Sequence, residues 1–241
     1  MDLHLSDKHI LITGGSKGIG LACARGFLAE GARVSLVSRD SAHLDAARAQ
    51  LQATFPAERI HTVAANLRDA SAALVALNAA EAAFGPVDVL VNSAGAAKRT
   101  PAPELTPEAF ADAMQAKYFT TIHMVTPCIQ RMAARGQGAV VNVVGNGGKV
   151  ASPIHLPGGA ANAALMLVSA GFAAAYGAQG IRVNAVNPGL TLTGRLQEGM
   201  AADARLKGIG TEEAMAQAVA KIPLGRMAEP EEIANAVLFL A

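Results

Sequence analysis

The stretch HILITGGSKGIGLACARGFLAEGARV, residues 9–34, decides the fold. It opens on the apolar run His9–Thr13, turns through closely spaced glycines and continues as an amphipathic helical pattern over Gly18–Glu30. A second strand-like run then starts at Arg33. Glycines between a buried strand and a helix let the backbone approach a diphosphate, which the positive end of the helix attracts. The stretch therefore predicts a βαβ nucleotide-binding unit.

The same alternation continues along the chain. Strand-like runs lie at 9–13, 33–37, 59–63, 87–91, 139–144 and 181–186, and helical patterns at 18–30, 41–54, 69–84, 106–135 and 159–179. Most runs are apolar without strict alternation, which is typical of a parallel sheet covered on both faces. These observations predict an α/β fold: one Rossmann domain over residues 1–241, a doubly wound parallel sheet with helices on both faces.

A long excursion follows the sixth strand, over residues 191–221. Because ligands bind beyond the carboxyl ends of the strands, its position predicts a lid of one or two helices. A surface elaboration without a role is the alternative.

Composition excludes several classes of partner. The 241 residues have a net charge of +1, are 51 % hydrophobic and include no Lys or Arg cluster, so we expect no nucleic-acid or membrane partner. The apolar run 163–178 is interrupted by a serine and two glycines, which favours a helix buried in protein over a membrane span. Cys23 and Cys128 stand far apart without metal-ligand neighbours. They indicate reduced thiols, a cytoplasmic location and no metal site.

Four motifs resemble one family in their order. They are TGGSKGIG at 13–20, NSAG at 92–95, IRVNAVNPGLTLT at 181–193 and IPLGRMAEPEEIANAVLFLA at 222–241. Together they make the chain similar, over almost its whole length, to the short-chain dehydrogenases/reductases (SDR). The resemblance implies a Rossmann fold, a nicotinamide cofactor, and reduction of a carbonyl or oxidation of an alcohol.

Charge near the end of the second strand predicts which cofactor binds. An acidic residue there would bind the ribose of NAD, but this chain has Ser38 followed by Arg39, and Lys17 stands in the glycine loop. Two cations favour NADP(H) over NAD(H) through charge-assisted hydrogen bonds to the 2′-phosphate. Asp40 could bind the ribose, or it could be the N-cap of the next helix. The motifs and their resemblance predict these cofactor-binding residues: Gly14, Ser16, Lys17, Gly18, Ile19, Gly20, Ser38, Arg39, Asn66, Leu67, Asn92, Ala94, Gly95, Pro188, Gly189, Leu190, Thr191 and Thr193.

The positions at which the family carries its catalytic residues hold other residues here. Family members use a Tyr as general acid/base, a Lys four residues later, a preceding Ser that holds the substrate oxygen, and an Asn on the preceding long helix. The resemblance assigns Gly145 to the Ser position, Gly158 to the Tyr position, Asn162 to the Lys position and Lys117 to the Asn position. It therefore implies a divergent member with an atypical active site.

Two hypotheses remain for this site. In one the protein binds NADP(H) without catalysis, as a sensor or an inert oligomer partner. In the other the site is rebuilt: Lys117 and Asn162 have exchanged places, and a desolvated Lys117 donates the proton. His155 is a second candidate proton donor, and Asn146 could hold a substrate oxygen. Non-redox chemistry in the same pocket is a further alternative, and an ordinary solvated Lys or surface His would have no role.

The remaining predictions concern partners. We expect a small-molecule substrate, and the Met- and Ala-rich excursion favours an apolar one. The helical pattern 159–179 is apolar nearly all round, and 106–135 is largely uncharged over its second half. The resemblance implies that these two helices pair across the interface of a homodimer or homotetramer.

Overall fold

The computed structural model describes residues 2–95 and 97–241, and its sheet is built around one fully buried strand. All five residues of β1 (His9–Thr13) are buried. The strand pairs in parallel with β2 (Arg33–Ser38) on one side and with β4 (Val89–Asn92) on the other. Ile12 lies opposite Leu36 and Val91 across the two ladders. Because both edges and both faces of β1 are covered, its three central residues, Ile10, Leu11 and Ile12, are all apolar without alternation.

The strands alternate with helices up to the sixth strand. The remaining strands are β3 (Ile60–Ala64), β5 (Gly138–Val143) and β6 (Ile181–Val186). The helices are α1 (Gly18–Ala29), α2 (Ser41–Gln52), α3 (Ala70–Phe84), α4 (Pro107–Ala113), α5 (Thr120–Arg135), α6 (Leu156–Tyr176), α7 (Leu196–Lys207), α8 (Thr211–Val219) and α9 (Pro230–Leu240). Helices α4 and α5 both lie between β4 and β5, and three helices follow β6.

The strand order is β3-β2-β1-β4-β5-β6, with every pairing parallel. This is the doubly wound order, and the predicted Rossmann fold is confirmed. The order reverses between β1 and β4, so a crevice opens at the carboxyl ends of these two strands. Ligands of such sheets bind in that crevice, which is where the glycine loop lies.

Apolar side chains cover both faces of the sheet. Ile10 and Ile12 belong to the cluster that packs against α1, α2 and α9, in which Phe27 is fully buried. Leu11 points to the opposite cluster, where α3 and α5 contribute Leu77 and Met124. The alternation of neighbouring β1 side chains between two cores fixes the sheet between its two helical layers.

The predicted helix 106–135 is continuous but not uniform. It consists of α4, a π-helical turn over Met114–Phe119, and α5. A π turn widens the helix by one residue and changes which side chains face the sheet. Lys117 lies inside this turn.

Helix α6 begins earlier than predicted and is covered on one face only. It starts at Leu156, with Pro157 in its first turn, and Leu167 on its outer face is 77 % exposed. Among the described residues, one helical segment, 156–179, is long and apolar enough to cross a membrane by length and composition. Because Ala161 and Leu165 are buried against the rest of the chain, this is also the pattern of a core helix. That a second subunit covers the other faces of α6 stays a prediction.

The excursion after β6 contains α7 and α8. Its ends are held together by backbone hydrogen bonds from Leu192 N to Ala228 O (2.9 Å) and from Ala228 N to Leu190 O (3.1 Å). The excursion therefore leaves and returns at the carboxyl ends of the strands. Its role as a lid stays a prediction.

Candidate functional site

Gly14 and Gly20 in the glycine loop have no space for a side chain. Gly14 has φ +68°, and a Cβ built there would lie 2.8 Å from the Ser93 carbonyl oxygen at the end of β4. A Cβ on Gly20 would lie 2.3 Å from the Gly14 carbonyl oxygen. Helix α1 thus packs directly on the turn, and Lys17, its N-cap residue, forms no side-chain cap. The first-turn N–H groups of α1 remain available to an anion, as a diphosphate site requires.

The other predicted cofactor residues lie around the same crevice. They follow the carboxyl ends of β1, β2, β3, β4 and β6. A Cβ on Gly18 would lie 3.3 Å from Cγ2 of Thr193, so the glycine loop and the loop after β6 face each other closely. Asn92 is held by the side chain of Asn142, to which its Nδ2 donates at 2.9 Å. The cradle fits an extended dinucleotide, because its walls are backbone and small side chains.

A shallow cleft at the end of β2 has a basic side. It is lined by Ser38, Arg39, Asp40 and His43, and the Arg39 side chain is exposed. Asp40 is the N-cap of α2, because its carboxylate accepts from the backbone N–H of His43 at 3.0 Å. That hydrogen bond is the main reason why the pKa of Asp40 is lowered. The N-cap interpretation of Asp40 is therefore confirmed.

Two side chains from the glycine loop reach toward the same cleft. The Ser16 hydroxyl donates to the Ser38 hydroxyl at 3.0 Å. Lys17 Nζ lies 2.8 Å from Nε2 of His43. The ammonium of Lys17 and the guanidinium of Arg39 thus flank the end of β2, where a ribose 2′-substituent is bound in this fold.

Lys117 extends from the π turn into the protein. Its Nζ donates to the Val144 carbonyl oxygen at 2.5 Å and to Oδ1 of Asn162. Gly95 makes room for the stem, since a Cβ there would lie 2.8 Å from Lys117 Cγ. Burial, with smaller contributions from the positive charges of Arg195 and Arg99, lowers the pKa of Lys117 to about 7. The structure therefore brings Lys117 and Asn162 into direct contact and leaves the amine close to half-protonated at neutral pH.

His155 occupies the space beside the first turn of α6. A Cβ built on Gly158 would lie 2.1 Å from Cε1 of the imidazole, and one on Gly147 would lie 2.9 Å from its Cδ2. The imidazole therefore fills the volume that a side chain at position 158 would enter. Burial, followed by the charges of Arg99, Lys117 and Arg195, lowers the pKa of His155 to about 4. Among the described residues its buried Nδ1 has no hydrogen-bond partner.

Gly145 and Asn146 complete the group of predicted residues. Gly145 has φ +117°, and a Cβ there would lie 3.3 Å from Nδ2 of Asn162 and 3.9 Å from Nζ of Lys117. The backbone N–H of Asn146 donates to the Pro188 carbonyl oxygen at 2.9 Å. The loop after β5 is thus tied to the loop after β6. All the catalytic candidates predicted from the sequence lie at one end of the sheet.

Two arginines near the site escaped the sequence analysis. Arg195 donates to the carbonyl oxygens of Gly95 (2.8 Å) and Ala97 (3.2 Å), and Arg99 packs against Gly199 of α7. They stand 96 positions apart and belong to none of the four motifs. The available signal was a cation shortly after each of two cofactor motifs: Lys98 and Arg99 follow NSAG, and Arg195 follows IRVNAVNPGLTLT. In the described part of the chain, no group of three or more His, Cys, Asp or Glu side chains is placed to hold a metal.

Comparison with known proteins identifies relatives of this chain. The sequence model of the family described as short chain dehydrogenase matches residues 8–204. The chain belongs to the short-chain dehydrogenase/reductase family. The D-threitol dehydrogenase of Mycolicibacterium smegmatis is 34 % identical over 243 residues, covering 100 % of this chain and 88 % of that relative.

Solved SDR structures share the whole architecture. An actinorhodin polyketide ketoreductase variant with NADPH superposes with a TM-score of 0.91 at 28 % identity, over 97 % of this chain and 90 % of that one. The L-sorbose reductase of Gluconobacter frateurii, in complex with NADPH and L-sorbose, gives a TM-score of 0.89 at 30 % identity, over 100 % and 91 %. The SDR relatives of this chain are thus dehydrogenases and reductases that act on alcohols and carbonyls.

Proposed function

We propose that this SDR protein is an NADP(H)-dependent oxidoreductase that interconverts a carbonyl and an alcohol, with Lys117 as the proton donor. The observation that carries the proposal is the position of the Lys117 amine, which is buried, hydrogen-bonded to Asn162 and has a pKa of about 7. A proton donor works best when its pKa lies near the working pH.

The crevice has the features needed to hold the cofactor. The diphosphate would lie on the first turn of α1 against Gly14 and Gly20, where a Cβ would leave no room. Arg39 and Lys17 would bind the 2′-phosphate, which supports NADP(H) over NAD(H), as do the two neighbours solved with NADPH. When bound, NADPH supplies the hydride that reduces the carbonyl carbon.

Lys117 can donate or accept a proton without losing its position. An ammonium has three N–H donors, and two are used by Val144 O and Asn162 Oδ1. The third is left for the oxygen of a carbonyl, which takes this proton as its carbon is reduced. The resulting amine keeps two N–H groups for the same two acceptors and regains a proton from solvent. In the reverse direction its lone pair accepts the proton of the alcohol.

His155 and Asn146 would position the substrate oxygen. With a pKa of about 4, the imidazole of His155 is neutral at pH 7 and offers one N–H as a hydrogen-bond donor rather than a transferable proton. It lies where a side chain at Gly158 would otherwise stand. We assign Asn146 the second hydrogen bond to that oxygen. Asn162 is a positioning residue, because it acts through Lys117.

The proposal is tested by cofactor binding and by turnover. Titration with NADPH and NADH, followed by nicotinamide fluorescence, should give tighter binding of NADPH. L-Sorbose, bound by one solved relative, is the first carbonyl probe, and consumption of NADPH is followed by its absorbance.

Lys117→Met should lower the rate about a hundredfold or more, as for loss of a general acid. Lys149 is an exposed lysine, and Lys149→Met is the matched control, which should keep the rate. Equal rates in the two variants would remove Lys117 from the mechanism. Binding of NADPH without turnover of any carbonyl tested would favour the inert cofactor-binding alternative.

We also propose a homodimer or homotetramer acting in the cytoplasm, formed through α6 and the helical segment 107–135. The support is the open apolar face of α6, on which Leu167 is 77 % exposed. Leu167→Lys should shift the protein toward monomer in solution scattering, while Val75→Lys, at a 65 % exposed position on α3, should not. A wild-type monomer at micromolar concentration would refute the assembly.

A further inference from the structure

Arg99 and Arg195 form a cationic pair beside the proposed proton donor, and neither takes part in the proposed proton transfer. Arg195 is anchored by its hydrogen bonds to the carbonyl oxygens of Gly95 and Ala97. The stem of Lys117 packs against the same glycine, since a Cβ on Gly95 would lie 2.8 Å from Lys117 Cγ. Arg195 and Lys117 therefore both contact Gly95.

The same loop places Arg99 close to His155. The backbone N–H of Thr100 donates to the Ile154 carbonyl oxygen at 3.0 Å, which ties the residue after Arg99 to the residue before His155. The guanidinium of Arg99 lies against α7, where a Cβ on Gly199 would lie 2.8 Å from Arg99 Nε. Arg99 thus bridges the excursion 191–221 and the loop that carries the imidazole.

Among the described residues, Arg99 and Arg195 have no ion-pair partner. Within residues 2–95 and 97–241, neither arginine has a carboxylate oxygen within 4.0 Å, and the Arg99 guanidinium forms no hydrogen bond. Asp203 and Glu198 are the acids whose charges reach the pair, and Asp203 is bound to Lys207 at 2.6 Å. The positive charges of half-buried Arg99, exposed Arg195 and the buried Lys117 amine therefore repel one another. Burial and this repulsion lower the pKa of Arg99, whereas an anion would relieve the repulsion.

We propose that the substrate carries an anionic group, a carboxylate or a phosphate, and that Arg99 and Arg195 bind it while its carbonyl faces Lys117. Arg195 uses two of its five N–H donors on the loop after β4, and Arg99 uses none within the described residues, so enough donors remain for a bidentate contact. That the bound anion is the substrate rests on the proposed oxidoreductase function. It adds a charged end to the apolar substrate that composition favours.

The experiment compares anions with neutral molecules of the same shape. Three pairs serve as probes: 5-keto-D-gluconate and L-sorbose, which differ in a carboxylate for a hydroxymethyl group; acetoacetate and acetoacetamide; and dihydroxyacetone phosphate and dihydroxyacetone. Each is titrated into the full chain saturated with NADPH. Binding is followed by nicotinamide fluorescence and turnover by consumption of NADPH. We expect the anion of at least one pair to bind about tenfold or more tightly than its neutral partner.

Variants then assign that preference to the arginines. Arg99→Met and Arg195→Met should each reduce the preference about tenfold or more, and Arg99→Lys should restore part of it. Arg205→Met removes the same charge from an exposed position on α7 and should keep the preference. NADPH affinity is measured for every variant. If it falls as much as anion affinity, the pair serves the cofactor diphosphate and the proposal is overturned.

The outcomes separate this inference from the proposed function. Preferred anion binding that depends on the arginines, without turnover, retains the anion site and refutes the oxidoreductase proposal. Turnover without any preference for the anionic member of a pair refutes the anion site and leaves the oxidoreductase standing. If the protein shows neither a preference for the anion nor turnover, both proposals are refuted.

Discussion

The pKa of Lys117 makes a quantitative prediction about the pH dependence of carbonyl reduction. With a pKa of about 7, the protonated fraction is about one half at pH 7 and about one tenth at pH 8. The value of kcat/KM for reduction should therefore fall about tenfold per pH unit above pH 7, and about a hundredfold between pH 6 and pH 9. An ordinary lysine, with a pKa of 10.5, would give a flat profile over this range.

The sign reverses for oxidation of the alcohol. Lys117 must then be the neutral amine, so kcat/KM should rise with pH through about 7 and reach a plateau. The charged groups that act on Lys117 are Arg195 and Arg99, which stay protonated throughout. His155 is neutral above a pH of about 4, so it does not produce a change near pH 7.

Three variants decide whether the titrating group is Lys117. Lys117→Arg keeps the positive charge but cannot release its proton. The fall of kcat/KM for reduction above pH 7, hereafter the limb, should therefore disappear together with most of the rate. Lys117→Met should lose both the rate and the limb. His155→Gln, a change at the neighbouring ring, should lower kcat/KM and keep the limb at the same pH. A limb that survives in Lys117→Arg, or a flat wild-type profile between pH 6 and pH 9, would refute the reasoning.

Four further predictions follow from the geometry. Gly158→Ala should displace the imidazole of His155, because the new Cβ would lie 2.1 Å from it, and lower kcat/KM about tenfold or more, while Gly210→Ala, with open space around its Cβ, should leave turnover unchanged. Gly20→Ala should weaken NADPH binding and destabilise the fold by about 1–3 kcal/mol in urea unfolding, because its Cβ would lie 2.3 Å from a backbone oxygen; unaltered values of both would contradict the cradle. Arg39→Met should weaken NADPH about tenfold to a hundredfold by fluorescence titration and leave NADH unaffected; an equal loss for both would exclude 2′-phosphate binding. Finally, the folded-state pKa of Lys117 lies below its unfolded value, so the unfolded chain binds more protons between pH about 7 and about 10.5, and the free energy of unfolding should contain a term that rises with pH across this window and is missing in Lys117→Met.

The fold was predictable because its signals are local and repeated. The run His9–Thr13 and the glycine turn after it fix the central strand and the crevice, and both are present in the structure. The start of α6 was predicted at Gly159, three residues later than the observed Leu156. Pro157 suits the first turn of a helix, and the glycines after it are needed because Cβ atoms at 158 and 159 would meet the His155 ring and the Gly147 carbonyl oxygen.

The site was predictable only where the family resemblance supplied positions. It placed Lys117 opposite Asn162, and the two are in contact. It gave no indication of the π turn that aims Lys117 inward, since a π turn leaves little trace in a helical pattern. The arginine pair could not be found either, because Arg99 and Arg195 become neighbours only when the loops after β4 and β6 meet.

The two proposals together have a consequence for the protonation state of Lys117 during the reaction. Arg99 and Arg195 lower the pKa of Lys117 by repulsion, so an anion bound between them must raise it by removing part of that repulsion. By linkage, the anion also binds more tightly when Lys117 is protonated. An anionic substrate thus delivers a protonated lysine to its own carbonyl, which is the state that reduction needs and oxidation does not. Once the proton has passed to the product oxygen, Lys117 is neutral, so by the same linkage the anionic product is bound less tightly and leaves the arginines for the next substrate. The bound anion, by raising the pKa of Lys117, thus favours the protonated lysine that carbonyl reduction requires at neutral pH, whereas the two arginines without an anion favour the neutral amine that alcohol oxidation requires.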